Sequence, residues 1–435
     1  MHYSSGRPPI EMYDWGCSRG WPRRWPPSSP LGKPRELCDH ENVRTTIAIS
    51  GSAAKSSFPM STNRILAIWV ICLMAVAAAT GQTASGDGIG KPLYSTRPLG
   101  GSSGEAGQNG VLAKALNTIP YWSGSFRSAV KGKGKAFPYT MVGTDPAAGS
   151  ATTVVPTSIV PISLSFSNGA RLDGSTRVQN IIDSPIFQSF DSQAGFTQYA
   201  DAVYRASFYK IIEDKSPNWH VLLGQPAVLA TQYLIVPAEK GLEFTGSHSK
   251  AHVGLIDIDW FTAQLRALVA NLKLDPHSLT IFLTENTFLF VGNPGKCCIV
   301  GFHSGLVSAQ ADSTQLQTFV WASYNAPKIF DAPLEDITAL SHEVAEWYSD
   351  PFLSNVVPSW ALPGSSACAA NILEVGDPIE VFPKLSFTVT LYGTTYHPQD
   401  AVLFSWFARQ SPSIGMRGRY SYRGDKLFSP APPCS

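Results

Sequence analysis

Residues 279–283 (LTIFL), 287–291 (TFLFV), 297–303 (CCIVGFH) and 318–324 (TFVWASY) are four short apolar runs, and residues 331–351 (DAPLEDITALSHEVAEWYSDP) follow close behind them. Runs of this length, rich in β-branched and aromatic side chains, predict strands. The last segment changes period, because Ile337, Leu340, Val344 and Trp347 recur at helical spacing. Pro333 in a first turn, the acids Glu335 and Asp336 beside it, and the stop at Pro351 predict a helix over 333–350. Strands in series followed by a helix predict an α+β fold, a mixed or mostly antiparallel sheet with packed helices.

The pattern extends outward in both directions. Before the four runs, Phe261, Leu265, Leu268, Val269 and Leu272 share one helical face, with Asp259 as the expected cap and a stop at Asp275-Pro276. Residues 197–212 read as a further helix, and 153–166, 220–223 and 232–236 as strands. After the helix predicted over 333–350 come a long loop, an alternating run at 387–393 (FTVTLYG) and an aromatic-rich tail. Trp321, Trp347, Trp360 and Trp406 suit a core or rim, or together a sugar- or peptide-binding groove.

The amino-terminal part has a different character. Asn63 and Arg64 precede fifteen apolar residues, Ile65 to Ala79, with small residues at Ala77 and Ala79. A positive start, a short apolar run and a small-residue exit describe a bacterial secretory signal peptide over 60–82. The run is short for a bilayer span, so no stable membrane span is expected after cleavage. Residues 1–59 have no periodicity and read as a mis-assigned start or a disordered extension. Residues 83–111 are a Gly/Ser-rich linker. Residues 112–250 are then the first part of the globular region, a candidate substrate-binding lobe, and 251–435 a metal-site domain. The expected location is secreted, periplasmic or in the cell envelope.

Charge excludes one class of partner. Residues 1–59 hold eight of the 33 Lys and Arg, which leaves the mature part slightly acidic, with no basic patch for nucleic acid. Four of the seven cysteines, Cys297, Cys298, Cys368 and Cys434, fall outside the extension and signal. In an oxidising compartment they permit two disulfides, and bridges from the vicinal pair to Cys368 and Cys434 are the natural expectation. No C-x-x-C spacing points to a thiolate zinc site.

The chemistry concentrates in the predicted 333–350 helix. His342 and Glu346 lie one turn apart and project from the same face, while Glu343 sits about 100° around from His342. An imidazole and a second ligand at that spacing can grip Zn²⁺ or another divalent cation, with the adjacent carboxylate taking a proton from an activated water. A third ligand is expected from the acidic loop at 371–380 (NILEVGDPIE), first Glu374 and then Asp377. Asp350, His303 and His397 are further candidates.

His342-Glu343-Val344-Ala345-Glu346 resembles the HExxH helix of the zincin metallopeptidases, with Glu346 where that family has its second histidine. The likeness implies metal ligation by His342, a catalytic general-base role for Glu343, and a distant acid such as Glu374 as third ligand. The texture of TQYADAVYRASFYK, SHEVAEWYSDP and YHPQDAVLFSWFARQ is similar to that of secreted proteins of soil bacteria such as acidobacteria, which implies export and no particular activity. The expectation is an exported metal-dependent hydrolase acting on a polypeptide or extracellular polymer. The competing expectation is a non-catalytic extracellular binding or envelope protein with a structural or vestigial metal site.

Overall fold

The computed structural model describes residues 93–94, 117–128, 134–310 and 313–435. The predicted extension and signal lie outside the described residues, as does the linker apart from the two-residue strand Leu93–Tyr94. Among the described residues, no helix is long and apolar enough to cross a membrane.

The fold is a mixed α/β arrangement around one curled sheet. Its main path uses β1 (Thr157–Ser165), β2 (Ala227–Val228), β3 (Gly241–Thr245), β4 (His252–Asp257), β5 (Leu279–Glu285), β6 (Thr287–Phe290), β7 (Cys297–Gln310) and β8 (Ser313–Tyr324). The spatial order is β2-β1-β5-β8-β7-β6-β4-β3, curled into a half-barrel. The four runs read as strands are β5 to β8 and form its centre. Pairing is parallel across β2-β1-β5-β8 and between β6 and β4. It is antiparallel across β8-β7-β6 and between β4 and β3. The sheet is therefore mixed. The 153–166 run is two strands, since Thr152–Val155 pairs separately with His220–Leu223 and only β1 enters the main sheet.

Both faces of the sheet are covered, which explains runs apolar at nearly every position. Phe282, Phe302, Phe319 and Trp321 point to one face, where α2 (Ile258–Asn271) lies over them with Phe261, Leu265 and Leu268 buried. Burial of each such side chain contributes roughly 1.5–3 kcal/mol. The cap of α2 is Asp257, which accepts from Trp260 N at 3.0 Å; the expected cap, Asp259, sits inside the first turn. Leu279, Ile281, Leu283, Val320 and Ala322 point to the opposite face, against α3 (Thr338–Ser349) and α1 (Tyr199–Ser207). The helix expected over 197–212 is interrupted at Phe208 and resumes as Tyr209–Lys215.

Helix α3 begins later than expected. Asp336 has a left-handed backbone (φ 43°) that no helix can run through, and it bridges to Asn325 instead. Pro333 and Glu335 therefore precede the helix. The strand expected over 387–393 is only Val389–Leu391, in a small hairpin with Thr394–Tyr396 away from the main sheet. The four tryptophans are all core residues, not a groove lining. Cysteine pairing also differs from expectation: Cys368 bonds Cys434, and Cys297 pairs with its neighbour Cys298. Among the described residues, no bridge joins that strand to Cys368 or Cys434. The Cys368–Cys434 disulfide is compatible with an extracytoplasmic location.

Candidate metal centre

Helix α3 packs on β7 and β8 with its polar face inward. Every residue from Thr338 to Tyr348 is buried, so His342, Glu343 and Glu346 do not form a solvated helix face. They meet a second imidazole from the sheet. His303 on β7 lies opposite Val320 in register, and its Nδ1 is 3.2 Å from Glu343 Oε2 and 3.7 Å from Glu346 Oε2. The approach is close because β7 carries Gly301 beneath Glu343; a Cβ there would stand 2.8 Å from Glu343 Oε1.

The acidic loop closes the other side. Leu373 N bonds Asn355 O at 3.0 Å and Val402 N bonds Val375 O at 2.7 Å, which pins the backbone on either side of Glu374. Gly376 N then donates to Glu346 Oε1 at 2.9 Å. His342 Nε2 stands 3.1 Å from Glu346 Oε2 and 3.6 Å from Asp377 Oδ1. Gln399 Nε2 lies 2.9 Å from Gly376 O and 2.9 Å from His342 Nδ1, fixing the imidazole plane. With that amide nitrogen donating to both, the ring proton sits on Nε2 toward Glu346. Ligation through Nε2 needs the proton on Nδ1, and hence a partner for Nδ1 other than the Gln399 amide nitrogen, which Gly376 O holds in place.

The electrostatics follow from crowding carboxylates in a dry place. Burial raises the Glu343 and Glu374 carboxyls well above the usual range, and the charge of Glu346 raises both further. Asp377 and Glu380 are raised by the same two causes, joined at Glu380 by Asp377. Glu346 is the exception. Burial pushes it up too, but His342 and then His303 more than offset this and hold it at about 2. Burial lowers His303 to about 4, so its imidazole is neutral near pH 7, the form in which histidine ligates. Among the described residues no lysine or arginine is ion-paired with any of these five acids.

Three groups of side chains bring ligand atoms within 4.8 Å of one another: His303/Glu346/Glu374, His342/Glu343/Glu346 and His342/Asp377/Glu380. The residues present fit a bound cation. Oε1 of Glu343 is buried without a hydrogen-bond partner, and both oxygens of Glu374 are buried with only the Glu346 carboxylate beside them, an arrangement that is costly unless a proton or a cation shares the space. Imidazole and carboxylate donors without thiolate suit zinc, iron or manganese better than a soft ion.

Most of the expected residues converge, though not in the expected set. Glu374 groups with His303 and Glu346 and not with His342, while Asp377 groups with His342. Two candidates do not join these groups of ligand atoms. Asp350 is buried, raised to about 7 by burial, and its carboxylate accepts from Ser354 N and Asn355 N. His397 pairs with Asp336 at 2.6 Å and Glu335 at 3.5 Å, ahead of α3. Sequence reasoning passed over Glu380, Gln399 and the two glycines. Glu380 was legible as an acid one short turn past Asp377, at the end of the 3₁₀ helix Asp377–Ile379. Comparison of the chain with protein-family models, with curated proteins and with solved structures finds no match.

Proposed function

We propose that this chain is an exported metal-dependent hydrolase, most simply a peptidase, whose divalent metal is held at Glu346, with His303 and Glu374 in one group of ligand atoms and His342 in the other. One observation carries the reading: buried carboxylate oxygens of Glu374 and Glu343 stand without an N–H or hydroxyl donor beside two imidazoles. A bound ion of this kind supplies Lewis acidity toward a carbonyl or water oxygen. Glu343 has the position of a general base. It shares the helix with two proposed ligands and keeps one oxygen uncommitted, and His303 lies 3.2 Å from the other. Gln399 orients His342, and the backbone N–H of Gly376 orients Glu346. Export rests on the predicted signal peptide, and the resemblance of 342–346 to the zincin helix supports the peptidase assignment.

One observation favours a second reading, a non-catalytic protein with a structural ion. Glu343, Glu346 and Glu374 are 1%, 3% and 1% exposed, and closed sites are the structural kind. Purified protein is assayed for bound metal and for turnover of casein or a peptide library. The hydrolase reading expects turnover that Glu343→Gln abolishes while metal content is kept. Metal without turnover in the parent protein refutes catalysis and leaves the structural reading, and a protein that takes up no divalent ion refutes both.

A further inference from the structure

The cluster contains two triads with no residue in common, His303/Glu346/Glu374 and His342/Asp377/Glu380. Each offers one imidazole and two carboxylates. We infer that the centre is dinuclear, with one divalent cation in each triad and Glu346 reaching toward both. This rests on the metal-centre reading above and deepens it.

Three features carry the inference. The first is donor number: three protein ligands with a position left open is the usual complement for a single catalytic ion, and seven side chains converge here. The second is charge. Each triad carries two carboxylates, which one dication neutralises, whereas a single dication leaves several buried acids uncompensated. The third is a pair of unmet donors, one in each triad. Both oxygens of Glu374, which is 1% exposed, meet no N–H or hydroxyl donor in the inner triad, only the Glu346 carboxylate. Glu380 Oε1 is buried and lacks a hydrogen-bond partner in the outer triad.

Glu346 links the two. Its Oε2 lies 3.1 Å from His342 Nε2 and 3.7 Å from His303 Nδ1, so one carboxylate oxygen addresses an imidazole of each triad. Glu346 is thereby placed between the two triads. Glu343 then remains outside both triads, on the same wall, available to hold a proton. The triads differ in access. The inner one is closed, while the Asp377 side chain of the outer one is 26% exposed. The outer ion is therefore the exchangeable one and the side from which a substrate group approaches.

The test is stoichiometry on the full mature chain. Protein stripped with chelator is titrated with Zn²⁺, and bound metal is counted by mass spectrometry after desalting. In parallel, Mn²⁺ loading is followed by electron paramagnetic resonance. Two ions per chain are expected, one removed by chelator at least tenfold faster than the other. The manganese spectrum should show exchange coupling between neighbouring ions. Asp377→Asn with Glu380→Gln should reduce the count from two to one and remove the coupling, with the fold verified by circular dichroism. One ion per chain in the parent protein, or two without magnetic coupling, overturns the dinuclear inference and leaves the mononuclear reading standing. No bound ion overturns both.

Discussion

Replacing Gly376 by alanine sets two physical effects of opposite sign against each other. The backbone there has φ −88° and ψ −38°, a conformation any residue adopts. On backbone grounds alone, Gly376→Ala reduces the freedom of the unfolded chain and should stabilise by about 0.4–1 kcal/mol. The surroundings say otherwise. A Cβ at this position would lie 2.5 Å from Cε1 and 2.7 Å from Cγ of His342, and nearer still to Nδ1. A ring buried in the core and held by Gln399 at 2.9 Å has no easy retreat. Overpacking of this kind costs about 1–3 kcal/mol, and loss of the Gln399 hydrogen bond about 1 kcal/mol more. The expected net effect in chelator is a destabilisation of about 1–3.6 kcal/mol, read by urea unfolding. Because the displaced ring is a proposed ligand, metal affinity should fall about 10–100-fold, as when groups that orient a ligand are changed. A variant as stable as the parent in chelator, with unchanged metal affinity, refutes the claim that Gly376 is the cradle of His342.

Three further outcomes are expected. Leu265→Ala on α2 should cost about 2–5 kcal/mol through the cavity it leaves, yet keep metal content unchanged; metal loss there contradicts the separation of the two sheet faces. Replacing Cys368 and Cys434 together by alanine opens a link across 66 positions and should cost about 4 kcal/mol, seen as a lower urea midpoint, with no shift counting against the bond. Burial holds Asp400 above the ordinary carboxylate range, while Lys426 at 3.1 Å opposes the rise. Lys426→Met should therefore cost about 3–5 kcal/mol near neutral pH by stranding a buried charge. The folded carboxyl then binds its proton more tightly than the unfolded one, so the penalty should grow as pH rises above about 4 and shrink below it. A penalty flat across that range is the contrary result.

The centre of the fold was legible because β5 to β8 announce themselves locally through composition and length. Their partners were not. That β1, more than 110 positions before β5 in the chain, inserts beside it is a non-local choice with no local signal. The start of α3 was misplaced for a local reason, since the acids and proline that resemble a first turn serve a bridge at Asp336. At the site, His342 and Glu346 were readable because helix geometry alone puts them together. His303 depends on which residue of β7 faces α3, which strand register decides. The exchange of Glu374 for Asp377 beside His342 depends on a loop path anchored by Asn355 and Val402. Periodicity carries no record of either.

Alternation along β7 separates two jobs that share one backbone. Phe302 packs at a tilt against Trp321 on the α2 side, while its neighbours Gly301 and His303 meet Glu343 on the other. Directed variation confined to Phe282, Phe302, Phe319 and Trp321 would therefore explore thermal robustness while every donor atom keeps its address. The protein offers an engineer a chassis that can be retuned from behind.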